Sequence, residues 1–341
     1  MILLVATAAS SALVTGLLRQ YAIRSGLIDR PNIRSSHSVP TPRGGGLAIV
    51  FTSLLAATFL CLVHMLAWRT FVALAGGGLA VAAVGFIDDR HPLPARVRLA
   101  VHLGAALWCL AWLGGLPPLQ LANRVVHLGW SGYVLGALAI VWVLNLFNFM
   151  DGIDGIAASE AIFVTGAGAV LGSWMAAAAV SSGGAAAAAA VVAAACSGFL
   201  VWNWPPARIF MGDVSSGYLG YVIATLALAA GHENPVAMWI WLLLGGAFFV
   251  DATVTLIRRL LRGEQVYEAH RSHAYQWLAR EWKSHGLVTL TVMLVNFIWL
   301  LPWAVAATLH PELVLWEALA ALLPLAVLAL LAGAGRGERR S

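Results

Sequence analysis

What most constrains this chain is a series of long apolar runs that recurs, with short polar gaps, from one end to the other. Eleven stretches are candidate membrane spans: about 1–18, 45–67, 70–87, 99–114, 133–150, 160–180, 184–202, 215–231, 236–257, 287–309 and 312–333. Roughly 20 apolar residues in a helix cross a bilayer core, and several of these runs sit near the short limit. Inside lipid every backbone polar group must be bonded within the chain, so successive spans of this kind fold as helices. The expected fold class is all-α: a multi-pass integral membrane protein of about 11 transmembrane helices, with 1–341 as a single membrane-embedded domain. Composition agrees, at 61% hydrophobic and 10% charged, where a soluble domain is about half and about a quarter. That balance excludes a soluble enzyme, a disordered chain and, despite a net charge of +5, a nucleic-acid-binding domain. Cys61, Cys109 and Cys196 all lie inside apolar runs with no metal or disulfide spacing, and read as small buried or lipid-facing residues. The first run lacks a basic n-region and a cleavage site, so it reads as the first span and not as a signal peptide.

Orientation follows from the basic residues. With the N-terminus outside, the inner segments hold 18 of the 20 Lys and Arg, and only Arg69 and Arg124 fall outside. This split places the N-terminus in the periplasm and the C-terminus in the cytoplasm. The outer segment 115–132 reads either as a hairpin or as a surface-lying stretch. The interruption from Ser181 to Gly184 reads as a turn, with small residues on both sides permitting close helix packing. The inner loops carry the acids, histidines and glycines, so an active site belongs to the cytoplasmic face.

Five inner constellations stand out. The loop from Asp29 to Gly46 contains three prolines, which prevent a regular helix, and Arg34, His37 and Arg43, which suit phosphate. Taken alone, it reads equally as a basic loop on anionic headgroups. Asp88 and Asp89 lie side by side where the third span leaves the membrane. Paired carboxylates can hold Mg²⁺, although a solvated loop or a helix cap accounts for them too. Asn145, Asn148, Asp151 and Asp154 recur every three residues, which on a helix puts them on one face. Lipid does not tolerate such a stripe, so it must meet protein, a metal or substrate. Asp213, with Ser215 and Ser216, opens another apolar helix, whose N-terminal N–H groups form a ready anion site; Asp also caps helices there. Finally, Asp251 and Arg258 precede a loop in which Glu268, His270, Arg271 and His273 cluster. The imidazoles could bind a metal, but the other candidate ligands are oxygen, which suits Mg²⁺ better than Zn²⁺. His270, Arg271 and His273 therefore read as donors to a substrate phosphate or sugar. Trp277 to Lys283 reads as a short interfacial helix.

These motifs, in this order from Asp29 to His273, resemble the polyprenyl-phosphate N-acetylhexosamine-1-phosphate transferases (the MraY/WecA family, glycosyltransferase family 4). The resemblance implies transfer of an N-acetylamino-sugar-1-phosphate from a UDP-sugar to undecaprenyl phosphate, with Mg²⁺ as cofactor and UMP as the second product. It further implies a bacterial inner-membrane location and, as a family expectation, a homodimer. By motif position, Asn148 and Asp213 would coordinate Mg²⁺, and Asp88 and Asp89 would serve catalysis near the attacking lipid phosphate. Asp151 and Asp154 would serve the nucleotide side, and His270 to His273 the sugar phosphate. Arg34, His37, Asn145 and Arg258 complete the expected substrate contacts. Two departures are visible. The histidine loop reads His-Arg-Ser-His, which looks like the WbpL-like O-antigen branch and not the muramoyl-pentapeptide branch. Ser215 stands where the family commonly has glycine, a change expected to affect the backbone's approach to phosphate. The competing class is a membrane transporter or lipid carrier, which should carry polar groups near the bilayer midplane; here nearly all the acids lie at the inner ends.

Overall fold

The computed structural model describes residues 1–31, 39–179, 183–264 and 270–337. All eleven apolar runs are helical. The first eight form α1 (Ile2–Ser25), α2 (Leu47–Leu62), α3 (Trp68–Asp88), α4 (Ala95–Leu113), α5 (Gly129–Met150), α6 (Ile156–Ala179), α7 (Gly184–Asn203) and α8 (Asp213–Glu233). Then come α9 (Ala237–Leu244), α10 (Gly246–Leu261) and the short α11 (Ala274–Trp282). A π-helical stretch, Asn296–Leu300, joins α12 (His285–Val295) to α13 (Leu301–Leu309), and α14 (Val314–Leu331) ends the series. Among the described residues, nine helices are long and apolar enough to cross a membrane. The pair α9 and α10, bent by 72° at Gly245, brings the number to ten when it is counted as one span. The expected eleventh, α2, has only 16 residues, about 24 Å at 1.5 Å each. The chain turns just before it, and the Gly45 and Gly46 N–H groups donate to Phe210 O and Met211 O, each at 3.0 Å.

The proline-rich loop forms no helix in its described parts. It closes instead through β1 (Ile28–Asp29) and β2 (Thr41–Pro42), which pair antiparallel. The outer segment is a hairpin, β3 (Leu119–Leu121) against β4 (Arg124–Val126). The expected turn at Ser181 lies outside the described residues, but the packing beside it is visible: a Cβ on Gly172 would stand 3.2 Å from Ala186 Cβ. The short helix expected from Trp277 to Lys283 forms as part of α11. Cys109 and Cys196 are buried, Cys61 is partly so, and all three are free thiols.

Helix α8 is the axis of the molecule, buried along almost its whole length and flanked by α3, α5, α7 and α9. In lipid, helices associate by close packing of small residues and not by hydrophobic exclusion. Here α3 supplies Gly77 and Gly78 against the rings of Tyr221 and Tyr218, and Tyr221 Oη donates to Ala73 O at 2.7 Å. Two turns further, a Cβ on Gly85 would stand 2.6 Å from the Asp213 carbonyl carbon and 2.7 Å from the Val214 nitrogen. On its other side α8 presents Gly220, where a Cβ would stand 2.7 Å from Leu144 Cα of α5. These glycines draw the end of α3, the start of α8 and the end of α5 into one place, and those ends carry the acids.

Candidate active site

At the end of α3 the two adjacent aspartates turn to different partners. Asp88 accepts the Leu93 N–H at 2.6 Å and pairs with Arg98 at 2.7 Å. Asp89 accepts the N–H groups of Asp213 at 2.9 Å and Val214 at 3.2 Å. The N-terminus of α8, expected as an anion site for substrate, is therefore occupied by a carboxylate of the chain itself. Two unpaired N–H groups and the positive helix end favour an anion there, and α3 delivers one. Gly212 (φ 82) lets the chain pass, since a Cβ there would stand 2.5 Å from Asp89 Oδ2. Ser215 does not face this opening: its side chain is buried against Gly46 of the α2 entry. Its replacement of glycine is thus a matter of helix packing.

Arg43, carried in by the strand-like segment at β2, bridges the acids. Its Nη2 lies 2.7 Å from Asp89 Oδ1 and 3.2 Å from Asp213 Oδ1. Asn148 donates to Ser216 Oγ at 3.0 Å, and Asn148 and Asp88 both neighbour the Asp213 carboxylate. Burial pushes the Asp89 carboxyl up to about 6, with Arg43 opposing and Asp213 adding to the shift. Burial, then the nearby Asp213, likewise hold Asp151 well above the usual carboxylate range, with Arg43 opposing. Among the described residues several carboxylates thus share the one guanidinium of Arg43, and positive charge is short.

The helical stripe expected from Asn145 to Asp154 is not continuous. Helix α5 ends at Met150, Asp151 sits at its C-cap, and Gly155 (φ 76) turns the chain. Asn145 spends its amide on Val141 O at 2.7 Å, and Asn148 reaches α8. Asp154 faces elsewhere. It accepts the Ala207 N–H at 3.0 Å and lies 3.3 Å from His285 Nδ1. It lines a cavity of about 560 Å³ with Thr41, Phe210, Lys283 and His285 among its walls. A second cavity, of about 550 Å³, opens onto Arg43 and Asp89 between the C-terminal ends of α1 and α3.

The histidine loop is set beside α5 by a buried acid. Asp251 accepts the Ala274 and Tyr275 N–H groups at 2.8 and 3.1 Å, and Tyr275 Oη donates to Phe149 O at 2.9 Å. His270 and His273 stack at 4.8 Å, with Phe149 at 6.2 and 6.3 Å. His270 Nε2 is buried without a hydrogen-bond partner among the described residues, and so is His273 Nε2. Arg271 accepts from Arg280 through its carbonyl at 3.0 Å. Arg258 lies apart, donating to Ala334 O at 2.6 Å and tying down the C-terminal turn. Arg34, His37 and Glu268 lie outside the described residues.

No three acid, His or Cys side chains among the described residues converge as a metal cage. The donors at hand are a partly exposed carboxylate, Asp213, an amide, Asn148, and surplus negative charge. That set suits Mg²⁺, which keeps several waters and takes one or two protein carboxylates plus substrate phosphates. It does not suit Zn²⁺, for which the stacked imidazoles would have to point at a common centre. Sequence reasoning missed three partners: Arg98, His285 and Asn203, whose Oδ1 accepts the Gly155 N–H at 3.0 Å. Only Arg98 carried a signal, as a cation ten residues from Asp88 in a chain with few charges.

A profile described as glycosyl transferase family 4 matches residues 71–231, which include every aspartate of the cluster. A "Probable undecaprenyl-phosphate N-acetylglucosaminyl 1-phosphate transferase" of Bacillus subtilis is 28% identical over 313 residues, covering 90% of this chain and 84% of that protein. A decaprenyl-phosphate N-acetylglucosaminephosphotransferase of Mycobacterium tuberculosis is 28% identical over 306 residues, covering 82% and 76%. A phospho-N-acetylmuramoyl-pentapeptide-transferase of Synechococcus elongatus is 31% identical over 264 residues, covering 72% and 67%.

Proposed function

This chain belongs to glycosyl transferase family 4, the polyprenyl-phosphate N-acetylhexosamine-1-phosphate transferases, and from that premise we propose the reaction it performs. It transfers an N-acetylamino-sugar-1-phosphate from a UDP-sugar to undecaprenyl phosphate, at the cytoplasmic face of a bacterial inner membrane. The products are undecaprenyl-diphosphate-sugar and UMP. The carrying observation is the gathering of Asp89, Asp213 and Arg43 in salt-bridge contact at the glycine-packed junction of α3 and α8, with Asn148 of α5 alongside.

The acceptor phosphate monoester has a second pKa near 6 and is largely dianionic at pH 7. It needs no general base: its oxygen attacks the β-phosphorus, and the bond to the UMP oxygen breaks. The task left to the protein is charge and geometry. Asp89 fixes the start of α8 and so the place of Asp213, and Arg43 meets phosphate oxygens from the same point. Asp88, held by Arg98, keeps the α3 end in register. Asp213 and Asn148 are the residues to hold Mg²⁺, which when bound neutralises phosphate charge. Asp151 stands between this centre and Asp154, whose cavity takes the nucleotide. His270, Arg271 and His273 meet the sugar phosphate.

The donor is a UDP-N-acetylhexosamine lacking the pentapeptide, and the product initiates O-antigen or a related envelope polysaccharide. The His-Arg-Ser-His form of the loop, which resembles the O-antigen branch and not the muramoyl-pentapeptide branch, supports this choice. The test is purified protein given undecaprenyl phosphate, Mg²⁺ and a panel of radiolabelled UDP-sugars. Label should enter lipid from an unsubstituted N-acetylhexosamine donor. Transfer from the muramoyl-pentapeptide donor alone would overturn the donor class, and no transfer from any donor would overturn the reaction.

A further inference from the structure

The first turn of α12 meets Asp154 at three atoms. His285 Nδ1 lies 3.3 Å from Asp154 Oδ1 and 3.4 Å from the Asp154 nitrogen. Thr289, one turn on, donates through Oγ1 to Asp154 O at 3.2 Å. Positions i and i+4 share a helix face, so one face of α12 grips this residue from both sides of its backbone. A single ring nitrogen cannot accept from the N–H and donate to the carboxylate at once. The charged carboxylate is the stronger partner and selects the form protonated at Nδ1.

The start of α12 is itself fixed. Ser284 caps it, accepting the Leu287 N–H at 3.2 Å. Lys283 takes a left-handed conformation (φ 51, ψ 34) to make the reversal from α11, a geometry that costs a non-glycine residue energy and persists where surroundings enforce it. Lys283, Ser284, His285 and Gly286 then line the cavity of about 560 Å³ together with Asp154, Ala207 and Phe210. The far side of the Asp154 carboxylate is held by the Ala207 N–H at 3.0 Å.

We propose that His285 is a positioning residue for the donor nucleotide: through its contact with Asp154 it fixes the orientation in which that carboxylate meets the nucleotide in the cavity. The proposal rests on the nucleotide reading of the Asp154 cavity given above. Without the imidazole, the Asp154 side chain keeps the Ala207 N–H but loses the Nδ1 contact to Oδ1, and with it part of what fixes its orientation. A ligand that depends on its orientation then pays to restore it. The attacking phosphate and the acid cluster at Asp213 are untouched by this change, so the cost falls on donor binding.

The experiment uses full-length protein in detergent, UMP titrated by calorimetry, and steady-state transfer from UDP-N-acetylglucosamine to undecaprenyl phosphate. His285→Ala should weaken UMP about tenfold and raise the donor KM by the same factor. Both kcat and the undecaprenyl-phosphate KM should stay within about twofold. His285→Asn, whose amide N–H falls near the place of Nδ1, should recover most of the loss. An unchanged UMP affinity in His285→Ala, or a parallel fall of kcat and rise of both KM values that Asn does not repair, would overturn the proposal. Asp154→Ala separates the two levels. If it abolishes UMP binding while His285→Ala leaves it intact, the positioning role fails and the nucleotide site stands. If Asp154→Ala leaves UMP binding intact, the nucleotide reading fails and the positioning role with it.

Discussion

Gly85→Ala is a one-carbon change with a consequence that the packing of α3 on α8 makes calculable. The new Cβ would stand 2.6 Å from the Asp213 carbonyl carbon and 2.7 Å from the Val214 nitrogen, where ordinary contact begins at 3.4 Å. Both neighbours are backbone, so no side chain can swing aside. The Asp213 carbonyl oxygen stands closer still, so the ends of α3 and α8 must part by about 1 Å, enough to carry the 2.9 and 3.2 Å bonds from Asp213 and Val214 to Asp89 past useful hydrogen-bonding length. Losing that cap costs about 1 kcal/mol of stability. Displacing Asp213 by about 1 Å from Arg43 and Asn148 costs about a hundredfold in rate, as misplaced catalytic geometry commonly does. Gly104 on α4 has nothing within 4 Å of its added Cβ, so Gly104→Ala is the matched control and should keep full activity. The assay is UMP release by purified protein, with the thermal midpoint in detergent measured in parallel. Activity of Gly85→Ala within threefold of the parent would refute the link between this contact and the site.

Asp213→Asn keeps the backbone contact to Asp89 but removes a metal-binding charge, so turnover at ordinary Mg²⁺ should fall about ten- to a hundredfold and recover in part at high Mg²⁺; near-normal turnover without added metal would remove the assignment. Arg271→Lys should lower transfer by about the same factor, since Lys cannot copy the guanidinium fork, while UMP affinity measured by calorimetry stays unchanged; a parallel fall would move the loop to the nucleotide side. Glu160 is fully buried and accepts from Asn296 Nδ2 at 2.5 Å, so Glu160→Ala should cost about 1–3 kcal/mol in detergent unfolding, and Glu160→Gln much less. In a background lacking Cys61, Cys109 and Cys196, an impermeant thiol reagent on intact cells should label Asn123→Cys at the β3–β4 hairpin and not Glu281→Cys on α11; the reverse would invert the topology.

The spans were legible because their signal is local: twenty apolar residues announce a helix wherever they occur. The helix positions all follow from it. The brevity of α2 and the 72° bend between α9 and α10 do not. The acids were legible as chemistry out of place in an apolar chain, but their partners were not. Asp89 meets Asp213 across 124 positions, and Asp154 meets His285 across 131. Helical spacing predicted one stripe from Asn145 to Asp154. A C-cap at Asp151 and the turn at Gly155 divide it, sending Asn148 toward α8 and Asp154 toward α12. The start of α8 looked like an open anion site because sequence cannot show that α3 ends there with a carboxylate of its own.

In the proposed reaction the bond broken lies between the two phosphorus atoms of the donor. This is tested by following ³²P from UDP-N-acetylglucosamine labelled at the β-phosphate, incubated with undecaprenyl phosphate, Mg²⁺ and purified protein. The label should pass to the lipid in step with sugar, and the nucleotide released should be unlabelled UMP, one per lipid product. Recovery of the label in UDP, with unlabelled sugar on the lipid, would mean transfer of sugar alone and would contradict the account.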